Sequence, residues 1–403
     1  MNGPGLFSAE SRKIESFIDS FRKSLATRLA GEEPAGVEPL LRQLAEALAA
    51  EEATGRQHQQ AVAAAIAAAG ECTSAADFTA AAAGFRTALA DQFAFRPSVA
   101  VSFTQAAAFH DRLFAVACDL AGQQSVAAKG KKLPLLALLA SGRLGQQEAI
   151  DTSGSSLLLL LADDCAPETG RAAADALREM LGGCFPTNSD FLWSGTLAEW
   201  ADHARPVAGP AEHDDTSTFA RQLALLADSR LIAGNPEFGA GVVALNRQLL
   251  AAADPELFRL LATATAAKPV GLGMFGRFRT LWSGPHKGTL PIRELAIEPI
   301  VDVVRLLAVA GGFAEQSTMG RLRRIMANGQ IGVTLADNIA AAFIDFEREL
   351  IGLALRSRPA DDEFYLAPEE LAEDLNEQLR TGLEYVTTMQ RVAYQILAEP
   401  ERR

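Results

Sequence analysis

The sequence predicts an α+β protein that is mostly helical, with an N-terminal helical region, a central mixed β-sheet flanked by helices, and a C-terminal helical bundle. Three observations predict it. Alanine and leucine, both strong helix formers, dominate the chain. Amphipathic stretches of helical period fill its two ends. Between them, Leu133–Asp164 holds two short apolar runs, each of a length suited to a buried strand, separated by a polar turn carrying Gly142, Arg143, Gly145, Glu148, Asp151 and Ser153. A chain of 403 residues exceeds one ordinary core, and the expected domains are 1–97, 98–235 and 236–403.

Residues 8–30 place Ile14, Phe17, Ile18, Phe21, Leu25 and Leu29 on one helical face, with Ser8 as a candidate N-cap. Past the break at Gly31–Gly36, helices are expected at 37–53, 57–69 and 75–92, the last with Phe78, Phe85 and Leu89 inward, and another at 104–121. The basic stretch with Lys129, Lys131 and Lys132 reads as a solvated loop before the first apolar run, with anion binding as the alternative. A helix over 167–181 follows the second run, and Trp193 and Trp200 bracket a short helix beginning near Thr196. The apolar run 219–234 fits either a third strand or a helix end, and Asp228 and Arg230 share a face if it is extended. Helices are then expected at 238–250, 254–268, 292–311, 317–328, 334–357 and 368–396. Their charges, among them Arg321, Asp345, Glu347 and Glu349, read as solvated faces or local ion pairs.

Charge narrows the partner classes. A formal net charge of -13 argues against a broad nucleic-acid face. No segment offers the uninterrupted apolar length of a membrane span, and the N-terminus lacks the pattern of a signal peptide. Cys72, Cys118, Cys165 and Cys184 are widely spaced, with no histidine at metal-ligand spacing, so neither a disulfide framework nor a zinc site is indicated. A reducing cytoplasm is the simplest compartment. The alanine and leucine surplus is compatible with a homodimer.

The stretch 271–293 differs in kind. Its glycines and prolines carry Arg277, Arg279, His286, Lys287 and Arg293 interleaved with Phe275, Phe278 and Trp282. Such a loop suits an anionic or nucleotide-like ligand, or else a connection packed by its aromatics against the bundle.

The central stretch resembles the nucleotidyltransferase family related to the uridylyltransferase that modifies the nitrogen-signalling PII protein. Gly142 and Arg143 match the family's glycine-arginine, and Asp151 its first aspartate. The second aspartate falls on Ser153, the family glutamate on Gly145, and the leading glycine-serine on Leu139 and Ala140 or on Ala140 and Ser141. Cys184 and the segment Trp193–Trp200 are similar to the family's cysteine loop and tryptophan-bracketed helix. Asp228, Arg230 and Gly234 match a D-x-R-x-x-x-G segment. Arg293 stands where a lysine is usual, and Ser317, Thr318, Arg321 and Leu322 match an S-T-x-x-R-L signature of the associated substrate-binding helical domain.

The resemblance implies binding of a nucleoside triphosphate with Mg²⁺, and transfer of a nucleoside monophosphate to a protein. Two aspartates one residue apart on a strand point to one side and converge on the metal. Asp151 and Ser153 keep that spacing and lose half the charge, and a serine oxygen is a poor Mg²⁺ ligand. The leading expectation is therefore a catalytically impaired signal-transduction or regulatory protein that binds a nucleotide, a partner protein, or both. The alternatives are an active Mg²⁺-dependent transferase and a purely structural interaction protein. In a live enzyme Asp151 and Asp228 hold the metal. Ser141, Gly142, Arg143, Ser153 and Arg230 then line the nucleotide, and Arg277, Arg279 and Lys287 close the pocket.

Overall fold

A computed structural model describes residues 23, 37–127, 135–152, 154–185, 192–205, 216–273, 276–356 and 364–399. Apart from Lys23, the helix expected at 8–30 lies outside the described residues, as do the loop with Lys129, Lys131 and Lys132 and the position of Ser153. The architecture is the expected one: helices first, then a mixed sheet enclosed by helices, then a helical bundle.

Three long helices open the described chain: α1 (Val37–Ala68), α2 (Ala75–Phe95) and α3 (Val99–Ala127). The two helices expected at 37–53 and 57–69 are thus one, because Gly55 sits inside a run of good helix formers and costs only about 1 kcal/mol there. Ser74 starts α2 with a capping box, its hydroxyl accepting from Asp77 N–H while the Asp77 carboxylate accepts from Ser74 N–H.

The sheet comprises β1 (Leu136–Gly142), β2 (Ser155–Leu161), β3 (Leu192–Thr196) and β4 (Arg230–Gly234) in the order β3-β2-β1-β4. β1 runs antiparallel to both neighbours, while β2 and β3 are parallel. The one-turn helix α4 (Arg143–Gln146) follows β1, and α5 (Pro167–Leu181) crosses from β2 to β3. Then come α6 (Leu197–His203), α7 (Thr216–Ala227) and, past β4, α8 (Pro236–Ala251). The ambiguous run 219–234 is both things in turn, since the helix ends at Ala227 and the strand starts at Arg230.

The unbroken leucines of β1 and β2 have a direct cause. Leu138, Leu157, Leu159 and Leu161 face α2, α3 and α5, packing with Phe85, Phe109, Phe114 and Leu177. Leu139, Leu158 and Leu160 face the opposite layer, with Trp200, Phe219, Leu223 and Val242 from α6, α7 and α8. Strands covered on both sides lose the alternating pattern, and each leucine so buried stabilises by about 1.5–3 kcal/mol. Trp200 is fully buried, and its Nε1–H donates to Asn246 Oδ1 at 2.8 Å.

The C-terminal part comprises α9 (Pro255–Ala267), a hairpin-like loop, β5 (Leu290–Pro291), α10 (Glu298–Ala310), α11 (Thr318–Ala327), α12 (Val333–Arg356), β6 (Tyr365–Leu366) and α13 (Glu373–Leu397). A π-helical turn, Arg293–Ile297, leads into α10. Its core gathers Ile300, Val304, Leu307, Ile339, Phe343, Phe346 and Leu383, and Phe93, Val99 and Phe103 from the N-terminal helices join it. Among the described residues no helix is long and apolar enough to cross a membrane.

Candidate functional site

The turn after β1 is shaped by glycine. Gly142 has φ +64°, and a Cβ there would stand 2.3 Å from the Gly154 carbonyl oxygen. Gly145 has no room at all: its Cβ would lie 1.9 Å from the Asp228 carbonyl oxygen. The glutamate that the resemblance would place here has no room, because the backbone preceding β4 passes directly over the position.

Arg143, expected on phosphate, instead grips the C-terminal part. Its Nη1 and Nη2 donate to Glu347 Oε1 and Oε2 on α12, both at 2.8 Å, in a bidentate pair. Burial works against its charge, but the carboxylates of Glu347, Glu148 and Asp151 together outweigh it and hold the guanidinium above its usual pKa. Asp151 meets Arg293, whose Nη2 lies 3.4 Å from Oδ2 and whose guanidinium stacks over Phe364 at 4.6 Å. The π turn aims Arg293 at this point, a device frequent at functional sites.

Asp228 is fully buried and tied to two arginines of the C-terminal part. Arg305 Nε donates to its Oδ2 at 3.0 Å and Nη2 lies 2.8 Å from the same oxygen. Arg321 Nη1 lies 2.7 Å from Oδ1, off the line of a hydrogen bond, while its Nε and Nη2 donate to the Glu315 and Ala227 carbonyls. Burial depresses the Arg321 pKa, with Asp228 opposing it.

Ser141 and Arg230 are used behind the turn. The Ser141 hydroxyl is buried and donates to the Ala224 and Leu225 carbonyls of α7. Arg230 makes a bidentate pair with Asp111 of α3, both bonds at 2.7 Å. Arg277, Arg279 and Lys287 are exposed on the C-terminal loop, and none of them lines the Asp151 cavity. Gly142 shapes the turn, and among the described site residues Arg143 and Asp151 are the ones that share a cleft.

Sequence reasoning missed the partners. Arg321, Asp345, Glu347 and Glu349 read as solvated faces or local ion pairs; Asp345 does pair locally with Arg348, but all four are buried, and Glu347 is completely so. The signal was positional: Glu347 lies four residues after Phe343 and three before Leu350, on the apolar stripe of α12. Arg305 likewise lies four after Val301 and three before Ala308. Glu148, off register for catalysis, accepts the Thr318 N–H and Oγ1–H, each at 2.7 Å, at the start of α11. The S-T-x-x-R-L segment thereby acquires a physical meaning. Ser317 caps α11, Thr318 holds Glu148, Arg321 holds Asp228 and Leu322 enters the core.

Burial pushes the Glu148 carboxyl up to about 7, against the Thr318 bonds and the Arg143 charge. His110, buried nearby and facing Asp151, Asp111 and Arg230, is held down to about 4 by burial and stays neutral at pH 7. The sign for Glu148 is that of an acid whose folded pKa exceeds its unfolded value of 4.5. The folded state retains the proton longer, so this group's contribution falls as pH rises from about 4.5 to about 7. The expected result is that Glu148→Gln gains stability relative to wild type between pH 5 and pH 8, by roughly 2–3 kcal/mol. Paired urea melts across that range measure it, and a wild-type-minus-variant difference flat in pH refutes it.

The donor set does not suit Mg²⁺. Hard cations need several free oxygens, whereas Asp228 is fully buried on two guanidinium groups, and among the described residues no group of three acidic, histidine or cysteine side chains converges. The cleft lined by Arg143, Ile150, Asp151, Arg293 and Leu350 has no space for a water molecule. Ligand pockets span roughly 300–1,000 Å³.

With this geometry in hand, comparison with known proteins is informative for the C-terminal part. Residues 255–397 match the family model described as "putative nucleotidyltransferase substrate binding domain". The chain therefore carries a C-terminal domain of that kind, following a mixed sheet with helices, an arrangement consistent with a regulatory or signalling role. No curated protein matches the chain. The matched region supplies Arg293, Arg305, Thr318, Arg321 and Glu347, which means that it is the substrate-binding-like domain that occupies the turn after β1.

Proposed function

We propose that this chain is a nucleotidyltransferase-like signal-transduction or regulatory protein, catalytically impaired, that works by binding a nucleotide, a partner protein, or both. One observation carries the reading. The two side chains that the family resemblance assigns to phosphate and metal, Arg143 and Asp151, are paired directly with Glu347 and Arg293 of the C-terminal domain, and the cleft beside them has no room for a nucleotide.

A transferase must hold the triphosphate and the attacking group together and stabilise the charge that develops on phosphorus. Here the one arginine at the turn is neutralised and Ser153 stands in place of the second carboxylate. The residues that remain form a clamp between domains. In this reading a nucleotide competes with Glu347 for Arg143, so its binding is coupled to separation of the domains.

Calorimetric titration with ATP and with UTP, with and without Mg²⁺, tests the reading, together with incorporation of labelled nucleotide into cell-lysate proteins. The expected result is weak, metal-independent binding and no incorporation. Releasing Arg143 by Glu347→Gln should tighten triphosphate binding by about tenfold, the equivalent of one charge-assisted hydrogen bond. Metal-dependent binding accompanied by transfer overturns the reading in favour of an active transferase. An absence of nucleotide binding in both proteins leaves partner binding as the sole function.

A further inference from the structure

The loop between α9 and β5 carries a charge pattern at odds with the rest of the chain. Between Glu256 and Glu294 there is no acidic residue, while Arg259, Lys268, Arg277, Arg279, Lys287 and Arg293 are all basic, in a protein of net charge -13. Lys268 is taken by Asp302 and Arg293 by Asp151. Arg277, Arg279 and Lys287 are exposed and have no acidic partner among the described residues. Between them Trp282 is 85 % exposed, the largest exposure of any large hydrophobic side chain among the described residues.

The loop is built rather than loose. Arg279 N–H donates to the Gly271 carbonyl at 2.8 Å and Gly273 N–H to the Arg277 carbonyl at 2.7 Å. Nearer the tip, Leu281 N–H donates to the Thr289 carbonyl at 2.9 Å, and Gly288 N–H returns to the Leu281 carbonyl at 2.8 Å. His286 stacks on Tyr365 with ring centroids 3.9 Å apart, which fastens the tip to β6. Arg380 lies over Phe278 at 5.7 Å. An indole held in water on a braced loop costs hydration free energy without packing return, and a rigid aromatic loses little entropy on being covered.

We infer that this loop is a docking surface for an acidic segment of a partner protein, with Trp282 as the apolar anchor and Arg277, Arg279 and Lys287 as the charge complement. The inference deepens the partner-binding reading above and is independent of whether the cleft takes nucleotide. Tryptophan and arginine dominate binding hot spots because they combine area with directed charge. Flanking cations accelerate the encounter with an acidic segment and fix its register.

The neighbouring surface discriminates between partners. Glu369, Glu370, Glu373, Asp374 and Glu377 are exposed and follow β6, the strand paired with β5 and stacked on His286. A flat anionic bilayer or a long nucleic acid would meet that acidic ridge as well as the loop. A short protein segment can lie on the loop alone.

The test uses the full chain and a fluorescein-labelled peptide of Asp and Glu residues with a central Leu-Phe pair, followed by fluorescence anisotropy. Saturable binding that weakens with salt is expected. Trp282→Ala should weaken it by about thirtyfold, as for a hot-spot residue. The combined Arg277→Glu, Arg279→Glu and Lys287→Glu variant should lose it. All four positions are solvent-exposed, so thermal melts of the variants should match wild type and separate lost docking from lost folding. No saturable binding, or equal binding by Trp282→Ala, overturns the inference. So does tighter binding to phosphatidylglycerol vesicles than to the peptide. Sedimentation under the same conditions shows whether the acidic ridge of a second copy is the occupant, and a dimer abolished by the charge reversal would also overturn it. Because the peptide assay contains no nucleotide, its failure leaves the titrations with triphosphate standing, and the reverse holds too.

Discussion

Asp228→Ala should destabilise the protein by about 3–5 kcal/mol in urea denaturation, the range expected when one partner of a buried ion pair is removed. The substitution leaves Arg305 and Arg321, both nearly without solvent contact, facing each other with no intervening carboxylate. Arg305 retains Asp302, whose Oδ1 accepts from its Nη1 at 2.9 Å, so the greater penalty falls on Arg321. The repulsion between the two guanidinium groups adds to their desolvation. An intact transition within 1 kcal/mol of wild type would show that Asp228 is no structural hub, and would return it to the pool of candidate metal ligands.

Gly145→Ala should cost about 3 kcal/mol or more, beyond ordinary overpacking, because the obstacle is backbone rather than a side chain that can rotate away. The added methyl would collide with the Asp228 carbonyl oxygen at 1.9 Å and approach the Ala140 carbonyl oxygen at 2.9 Å. Relief requires moving β4 away from the end of β1, and with it the arginines on Asp228. Circular dichroism melts would read the loss directly, and a variant as stable as wild type would overturn the steric account. Replacing Gly145 by glutamate, the residue that the resemblance would place there, therefore should not create an active site. It should unfold the turn before it supplies a carboxylate.

The fold was largely readable because its determinants are periodic. The leucine runs of β1 and β2 announced strands buried on both faces, and the stripes of α10 and α12 announced a bundle. Gly55 and the start of α3 were misread because a helix tolerates one glycine and because α3 begins at Val99, only two residues beyond Pro97. The site was less readable. Gly142, Arg143 and Asp151 were found as a turn, but what a charged side chain does depends on what another part of the chain brings to it. Arg143 and Glu347 are 204 residues apart, and Asp228 and Arg305 are 77 apart. No local window contains both members of such a pair. The residual signal was a charge placed on an apolar stripe, as with Glu347 and Arg305, which is the arrangement that burial with a distant partner produces.

The division of these pairs between two parts of one chain bears on synthesis. Arg143, Glu148 and Asp228 leave the ribosome well before Arg305, Thr318, Arg321 and Glu347 exist. Until the matching residues emerge, the turn after β1 holds charges that water must solvate and that an apolar core will not accept. The sheet itself can close on α2, α3 and α5–α8, but the charges at its turn wait on a segment made later. Chains interrupted before α11 would keep those charges unpaired, a mark of an unfinished chain that chaperones can meet.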